Sequence, residues 1–134
     1  MLNAFPSLLA YGLLSSFILR LALGGIYLHA GYLKIFKRRE ATVGFFAQLN
    51  FPSPRFFMWL VGLTELVGSL FLIAGFGTQI VAILFAIISL GGLIIKVRRG
   101  DLLAQSVDFF IFALAISMAL IFSGAGFLAV DLPL

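Results

Sequence analysis

Long apolar runs separated by short polar clusters dominate this chain. A helix needs about 20 mainly apolar residues, each rising about 1.5 Å, to cross the hydrocarbon core of a membrane. Four stretches meet that requirement. The first runs from Ser16 to Leu33, carries Arg20 near its start and ends at Lys34. The second runs from Phe56 to Gly75 and holds one charge, Glu65. The third runs from Thr78 to Ile95, without a charge before Lys96. The fourth runs from Leu103 to Phe122, with Asp108 near its start. The pattern predicts an all-α integral membrane protein. Its single domain is a four-transmembrane-helix bundle over residues 1–134, with spans at about 16–34, 56–75, 78–96 and 103–122.

The breaks between spans are equally legible. Gly75-Phe76-Gly77-Thr78-Gln79 permits a tight turn, and Thr78 is placed to cap the third span. Lys96-Val97-Arg98-Arg99-Gly100-Asp101 forms another short, charged turn. The longest connection, Ile35 to Pro54, opens on Lys37-Arg38-Arg39-Glu40 and closes on Pro52-Ser53-Pro54. Between them, Val43, Phe45, Phe46 and Leu49 mix with Gln48 and Asn50. This predicts a short amphipathic helix lying in the interface and ended by the prolines.

Composition sharpens the class. Hydrophobic residues make up 63% of the chain and charged residues only 10%. A soluble domain carries about 25% charge, so lipid must solvate much of this surface. The net charge of +4 would suggest nucleic acid in a soluble protein. Here the cations flank the spans, so they read as topology determinants facing membrane lipids, with no nucleic-acid role. Lys34, Lys37, Arg38, Arg39, Arg55, Lys96, Arg98 and Arg99 all fall at one side. The positive-inside rule makes that side cytoplasmic in a bacterial-type inner membrane. The first–second and third–fourth connections are then inside and both termini outside. Residues 1–19 contain no Lys or Arg, so they do not resemble a cleaved secretory signal and are expected to be retained, resting at the interface. Cysteine is absent, which removes disulfides, thiol redox chemistry and thiolate metal sites from this chain.

Ionisable groups at membrane depth are costly, so each is a candidate site. Glu65 lies ten residues after Arg55 and ten before Gly75, about 15 Å of helix from each, and so sits mid-bilayer. Its neighbours Gly62, Gly68 and Ser69 are small and admit another helix closely. Glu65 is either a structural hydrogen bond between helices or a proton carrier or ligand anchor. Arg20, Tyr27 and Lys34 are spaced by seven and share one face, beside Gly24 and Gly31. Lys34 reads as a cation snorkelling to the interface; Arg20, deeper, reads as a partner for Glu65 or for a bound anion. His29 points away from that face and, as the lone histidine, provides no metal site; it reads as a hydrogen-bonding group between helices or at the interface. Asp108 sits near a helix N-terminus, within reach of Lys34, Lys96 or Arg98. No catalytic constellation emerges. The pairs Gly24-Gly25 and Gly91-Gly92 read as helix-packing sites.

Together these residues resemble the DoxX family of small four-helix membrane proteins. Leu19-Arg20 and Gly31-Tyr32-Leu33-Lys34 resemble the family's Leu-Arg start and Gly-x-x-Lys end of helix one. Gly62-Leu63-Thr64-Glu65-Leu66-Val67-Gly68 is similar to its Gly-x-x-Glu-x-x-Gly core, and Gly75-Phe76-Gly77-Thr78 to its following turn. Asp108 stands where the family often has an acid, and Gly124-Ala125-Gly126 with Asp131 resembles its ending. The likeness covers about residues 16–132. It departs at Phe127, where relatives often carry a basic or polar residue, and at His29, two positions before Gly31 rather than next to it.

The resemblance implies membrane-associated redox work, since some relatives are subunits of thiosulfate:quinone oxidoreductase. An accessory or anchor subunit of a quinone-linked complex is therefore expected, with other membrane subunits or further copies of itself as partners. Glu65, Arg20 and Tyr27 would offer hydrogen bonds to a quinone. The chain holds no intrinsic cofactor of its own, having no cysteine and one histidine. It is not expected to be an enzyme alone. The alternatives are a module that binds or moves a lipid or small hydrophobic molecule, and a purely structural membrane subunit.

Overall fold

The computed structural model describes residues 6–131. The first five residues of the N-terminal stretch lie outside the described residues. Among the described residues every regular element is a helix: α1 (Gly12–Tyr32), α2 (Arg39–Gln48), α3 (Pro54–Ala74), α4 (Thr78–Arg98) and α5 (Val107–Ser123). A 3-10 turn over Pro6–Tyr11 precedes α1, and a wider π turn over Leu33–Lys37 extends it. Three helices are long and apolar enough to cross a membrane: Gly12–Lys37, Pro54–Ala74 and Thr78–Arg98. The fourth apolar helix, α5, is shorter at 17 residues.

Several boundaries differ from those the apolar pattern sets; α4, for one, runs on through Lys96 and Val97 to Arg98, residues that pattern gives to the turn. The first helix begins at Gly12 and runs on to Lys37, past Lys34. A lysine whose charge is cancelled by a partner does not oblige the helix to end, and the π turn, closed by Arg38 N–H to Leu33 O at 2.6 Å, carries it further. The last helix begins at Val107, not Leu103. Ser106 caps it, its hydroxyl oxygen accepting from Phe109 N–H at 3.3 Å, so the apolar Leu102 and Leu103 lie before the helix.

The apolar helices pack in chain-related pairs. α1 lies along α3, α3 turns into α4, α4 lies along α5, and α5 returns to α1. Leu23, Tyr27, Leu72, Val81, Ala82, Phe85, Ala113 and Leu120 make the shared interior. Tyr27 stacks on Phe85 with ring centroids 4.2 Å apart. Most of the remaining apolar surface faces outward, including Ile80 at 68% exposed and Phe122 at 80%, as lipid-solvated helices require.

α2 folds back on the start of α3. Phe46, Phe51 and Phe57 form an aromatic knot with centroids 4.5–6.3 Å apart, and Arg39 lies 5.0 Å over the Trp59 ring. Asn50, at φ 59°, supplies the left-handed residue that ends α2 before the prolines. Arg99 Nη1 donates to Gln48 O at 3.0 Å, which ties the end of α4 to the end of α2. The basic connections therefore meet at one end of the molecule.

Glycines set the approach of α1 to α3. A Cβ on Gly31 would lie 2.7 Å from Leu66 N and 3.0 Å from Gly62 O, both backbone atoms. Gly24 and Gly62 face Ile73 and Ile35, and Gly68 carries the Phe85 ring. Gly92 packs on Phe110 within the chain, while Gly91 is open. Gly31→Ala is expected to destabilise the protein by about 1–3 kcal/mol, because backbone cannot give way. Gly25→Ala, whose Cβ meets nothing within 4 Å, is expected to be neutral or to stabilise by up to about 1 kcal/mol. Unfolding by SDS titration in mixed micelles, read by circular dichroism, compares the two.

Candidate functional site

The close approach at Gly31 and Gly62 brings two charges together in the apolar layer. Lys34 Nζ sits 2.5 Å from Glu65 Oε1 and 2.6 Å from Oε2, so the ammonium straddles both carboxylate oxygens. Glu65 is 1% exposed and the Lys34 side chain 30%. This is the single salt bridge among the described residues. Glu65 stands near the middle of α3. The reading of Lys34 as a snorkelling cation is thus overturned. Its stem turns inward because a full charge on Glu65 inside the apolar layer requires a counter-ion, and Lys34 is the cation at that level. The same geometry removes Arg20 as a partner for Glu65. Arg20 lies two heptads from Lys34, about 21 Å along the helix.

Arg20 has a different role. It is fully buried, and its Nη2 donates to Phe127 O at 2.7 Å and Leu128 O at 3.3 Å, with the guanidinium 5.4 Å over the Phe17 ring. Those carbonyls point inward because the tail reverses at Gly124, Gly126 and Leu128, all with positive φ. A Cβ on Gly126 would strike Leu13 O and Ser16 Cβ at 2.6 Å, so the tail lies directly on α1. Phe127 contributes its backbone to Arg20, so its departure from the family's usual polar residue leaves this contact intact.

Asp131 completes that end. Its Oδ2 accepts the Thr78 N–H at 2.8 Å, and its own N–H donates to Gly75 O at 2.8 Å. The expected cap by Thr78 is therefore replaced: Gly77, at φ 58°, holds the N-cap position without a side chain, and the tail's carboxylate does the capping. The Thr78 and Gly77 amides hold the Asp131 carboxyl below the usual carboxylate range, with the Arg20 charge adding to the effect.

The other candidates separate. Tyr27 is 3% exposed and its hydroxyl lies 2.5 Å from Ser89 Oγ, so both its ring and its polar atom are engaged inside the protein. His29 is exposed on the outer face of α1, in a shallow groove of about 410 Å³ with Gly25, Leu28, Tyr32 and Leu66. Asp108 is exposed in the first turn of α5 and pairs with none of the three cations considered for it; Lys96 instead donates to Gly100 O and Leu103 O. Its charge is favourable there through the helix dipole alone. Ser69, Ser89 and Ser117 are buried polar groups; sequence reasoning passed over the last two and read Ser69 only as a small neighbour of Glu65. Each returns its hydroxyl to the carbonyl four residues back, at Glu65, Phe85 and Ala113. Their sole mark in the sequence is isolation in apolar runs.

What the arrangement can do chemically is hold one paired charge in a low-dielectric layer with one partner reaching the surface. The profile of the DoxX family matches residues 15–96, the segment containing Arg20, Lys34 and Glu65. The chain is 30% identical over 119 residues to a Bacillus subtilis (strain 168) protein named "Putative oxidoreductase CatD", covering 88% of this chain and 85% of that one. No solved structure gives a significant match. This chain belongs to the DoxX family.

Two outcomes follow. Lys34→Met is expected to cost about 3 kcal/mol, since it leaves the buried Glu65 carboxylate unmatched, and Glu65→Gln less, since Lys34 is 30% exposed, whereas the double variant Lys34→Met/Glu65→Met recovers most of the larger loss. A cycle of SDS-unfolding free energies measures the coupling. Because the folded Asp131 carboxyl titrates below its ordinary value, its stabilisation is present above about pH 4 and is lost as pH falls through the folded value. Asp131→Asn should lower the thermal midpoint at neutral pH, and the difference from wild type should shrink toward zero in acid.

Proposed function

We propose that the chain crosses a bacterial-type inner membrane four times and serves as an accessory or anchor subunit of a quinone-linked redox complex. In this reading α1, α3, α4 and α5 form the bundle. A 17-residue α5 rises about 26 Å, enough for a thin or locally adapted bilayer. Both termini lie outside. The α1–α2 and α4–α5 connections lie in the cytoplasm, because Lys37, Arg38, Arg39, Arg55, Lys96, Arg98 and Arg99 share that end. The DoxX membership and the oxidoreductase name of the relative support the redox reading.

The observation that carries it is the Lys34–Glu65 pair. A membrane protein tolerates such a pair at depth where it serves contact or proton exchange, and Lys34 remains 30% exposed to whatever binds beside it. Tyr27 is engaged by Ser89, whereas Arg20 gives only Nη2 to the tail carbonyls, and its buried Nε and Nη1 have no hydrogen-bond partner among the described residues. A quinone head group would meet Lys34 and Glu65. The His29 groove favours a second reading: its apolar walls and exposed imidazole suit a lipid or small hydrophobic molecule.

Native mass spectrometry of the protein drawn gently from its own membrane separates these readings. The expected result is a stoichiometric partner subunit that carries a redox cofactor and is lost with Glu65→Gln. A lone chain or homo-oligomer retaining only lipid would overturn the accessory role.

A further inference from the structure

A second site lies at the basic end, away from Glu65. The C-terminal ends of α2 and α4 meet there around a crevice of about 210 Å³. Leu49, Ile94 and Ile95 give it apolar walls, and Arg98 and Arg99 complete its lining. We infer that this crevice binds an anionic phospholipid, with the phosphate on the two arginines and the first methylenes of an acyl chain along Ile94. The inference rests on α4 crossing the bilayer and is independent of the redox reading.

Each part of the crevice suits that ligand. Arg99 spends Nη1 on Gln48 O, which fixes the guanidinium across the gap between the helices and leaves its other donors free for an oxyanion. Arg98 is exposed and makes no hydrogen bond to protein among the described residues. Lys96, by contrast, is held by Gly100 O and Leu103 O and belongs to the turn. Next to the arginines, Ile94 is 46% and Val97 70% exposed, an apolar strip leading from the charges toward the middle of α4. Two guanidiniums beside an apolar strip match a phosphodiester joined to acyl chains, whereas a free anion would leave the strip unused. A zwitterionic headgroup would bring its own ammonium against two cations, so net negative lipid is selected. A crevice of 210 Å³ accommodates the phosphate region, and the chains lie on the open helix face.

The test uses the full chain, delipidated in detergent, with phosphatidylglycerol and phosphatidylcholine of identical acyl chains titrated together and bound lipid counted by native mass spectrometry. Wild type is expected to prefer phosphatidylglycerol. Arg98→Gln, which keeps the Arg99–Gln48 bond, should lower its affinity about fivefold, and Arg98→Gln/Arg99→Gln should abolish the preference. Lys37→Gln/Arg38→Gln, removing equal charge at the same end, should leave it intact. Loss of the preference equally in both double variants would replace the site with diffuse attraction and overturn the inference. Unchanged preference in Arg98→Gln/Arg99→Gln would overturn it as well. So would displacement of phosphatidylglycerol by millimolar inorganic phosphate, which would mark a free-anion site.

Discussion

A carboxylate in the apolar layer needs a cation at the same depth, and the packing of α1 on α3 supplies one. Glu65 is buried at the centre of α3, and Lys34 reaches it with both oxygens within 2.6 Å. That distance depends on glycine. Gly31 rests on the backbone at Gly62 and Leu66, so the two helix axes come close enough for the lysine stem to turn inward. Separate the helices by one methyl group and two charges face hydrocarbon instead of each other. The pair therefore fixes the register of α1 against α3 as well as its own chemistry.

The other end of α1 solves the same problem differently. Among the described residues Arg20 has no carboxylate at bonding distance; backbone carbonyls of the tail receive it, turned inward by residues with positive φ. Asp131 then reaches across to the first amides of α4. A helix N-terminus is the positive end of its dipole, so the carboxylate stabilises α4 while remaining close to the Arg20 charge. One face of α1 thus anchors both ends of the protein: Lys34 to α3, Arg20 to the tail, with Tyr27 against α4 between them.

The apolar runs, the Gly75–Gly77 turn and the short helix α2 were legible because each depends on local pattern. The depth of Glu65 was legible from counting along one helix. Its partner was not. Arg20 and Lys34 share a face and a charge, and choosing between them requires the relative sliding of α1 and α3, which Gly31 sets through a contact to the backbone of a residue 35 positions away. The Asp131 cap lies 53 residues from Thr78 and rests on the tail's reversal, so a local reading assigned the cap to Thr78 itself. Leu103 passes for helix by hydropathy alone; the Ser106 cap that excludes it is a single hydroxyl.

Membership of the DoxX family places this charged pair in a membrane protein, and the proposed quinone-linked role needs the pair to be ionised, with Lys34 as its exposed partner. Infrared spectroscopy of the protein in lipid, with carbon-13-labelled glutamate carboxyls and Glu65→Gln to assign the band, observes that state directly. The expected result is an ionised Glu65 carboxylate in wild type that becomes a protonated carboxyl in Lys34→Met. A protonated Glu65 in wild type, unchanged by Lys34→Met, would contradict the ion pair and with it the role built on it.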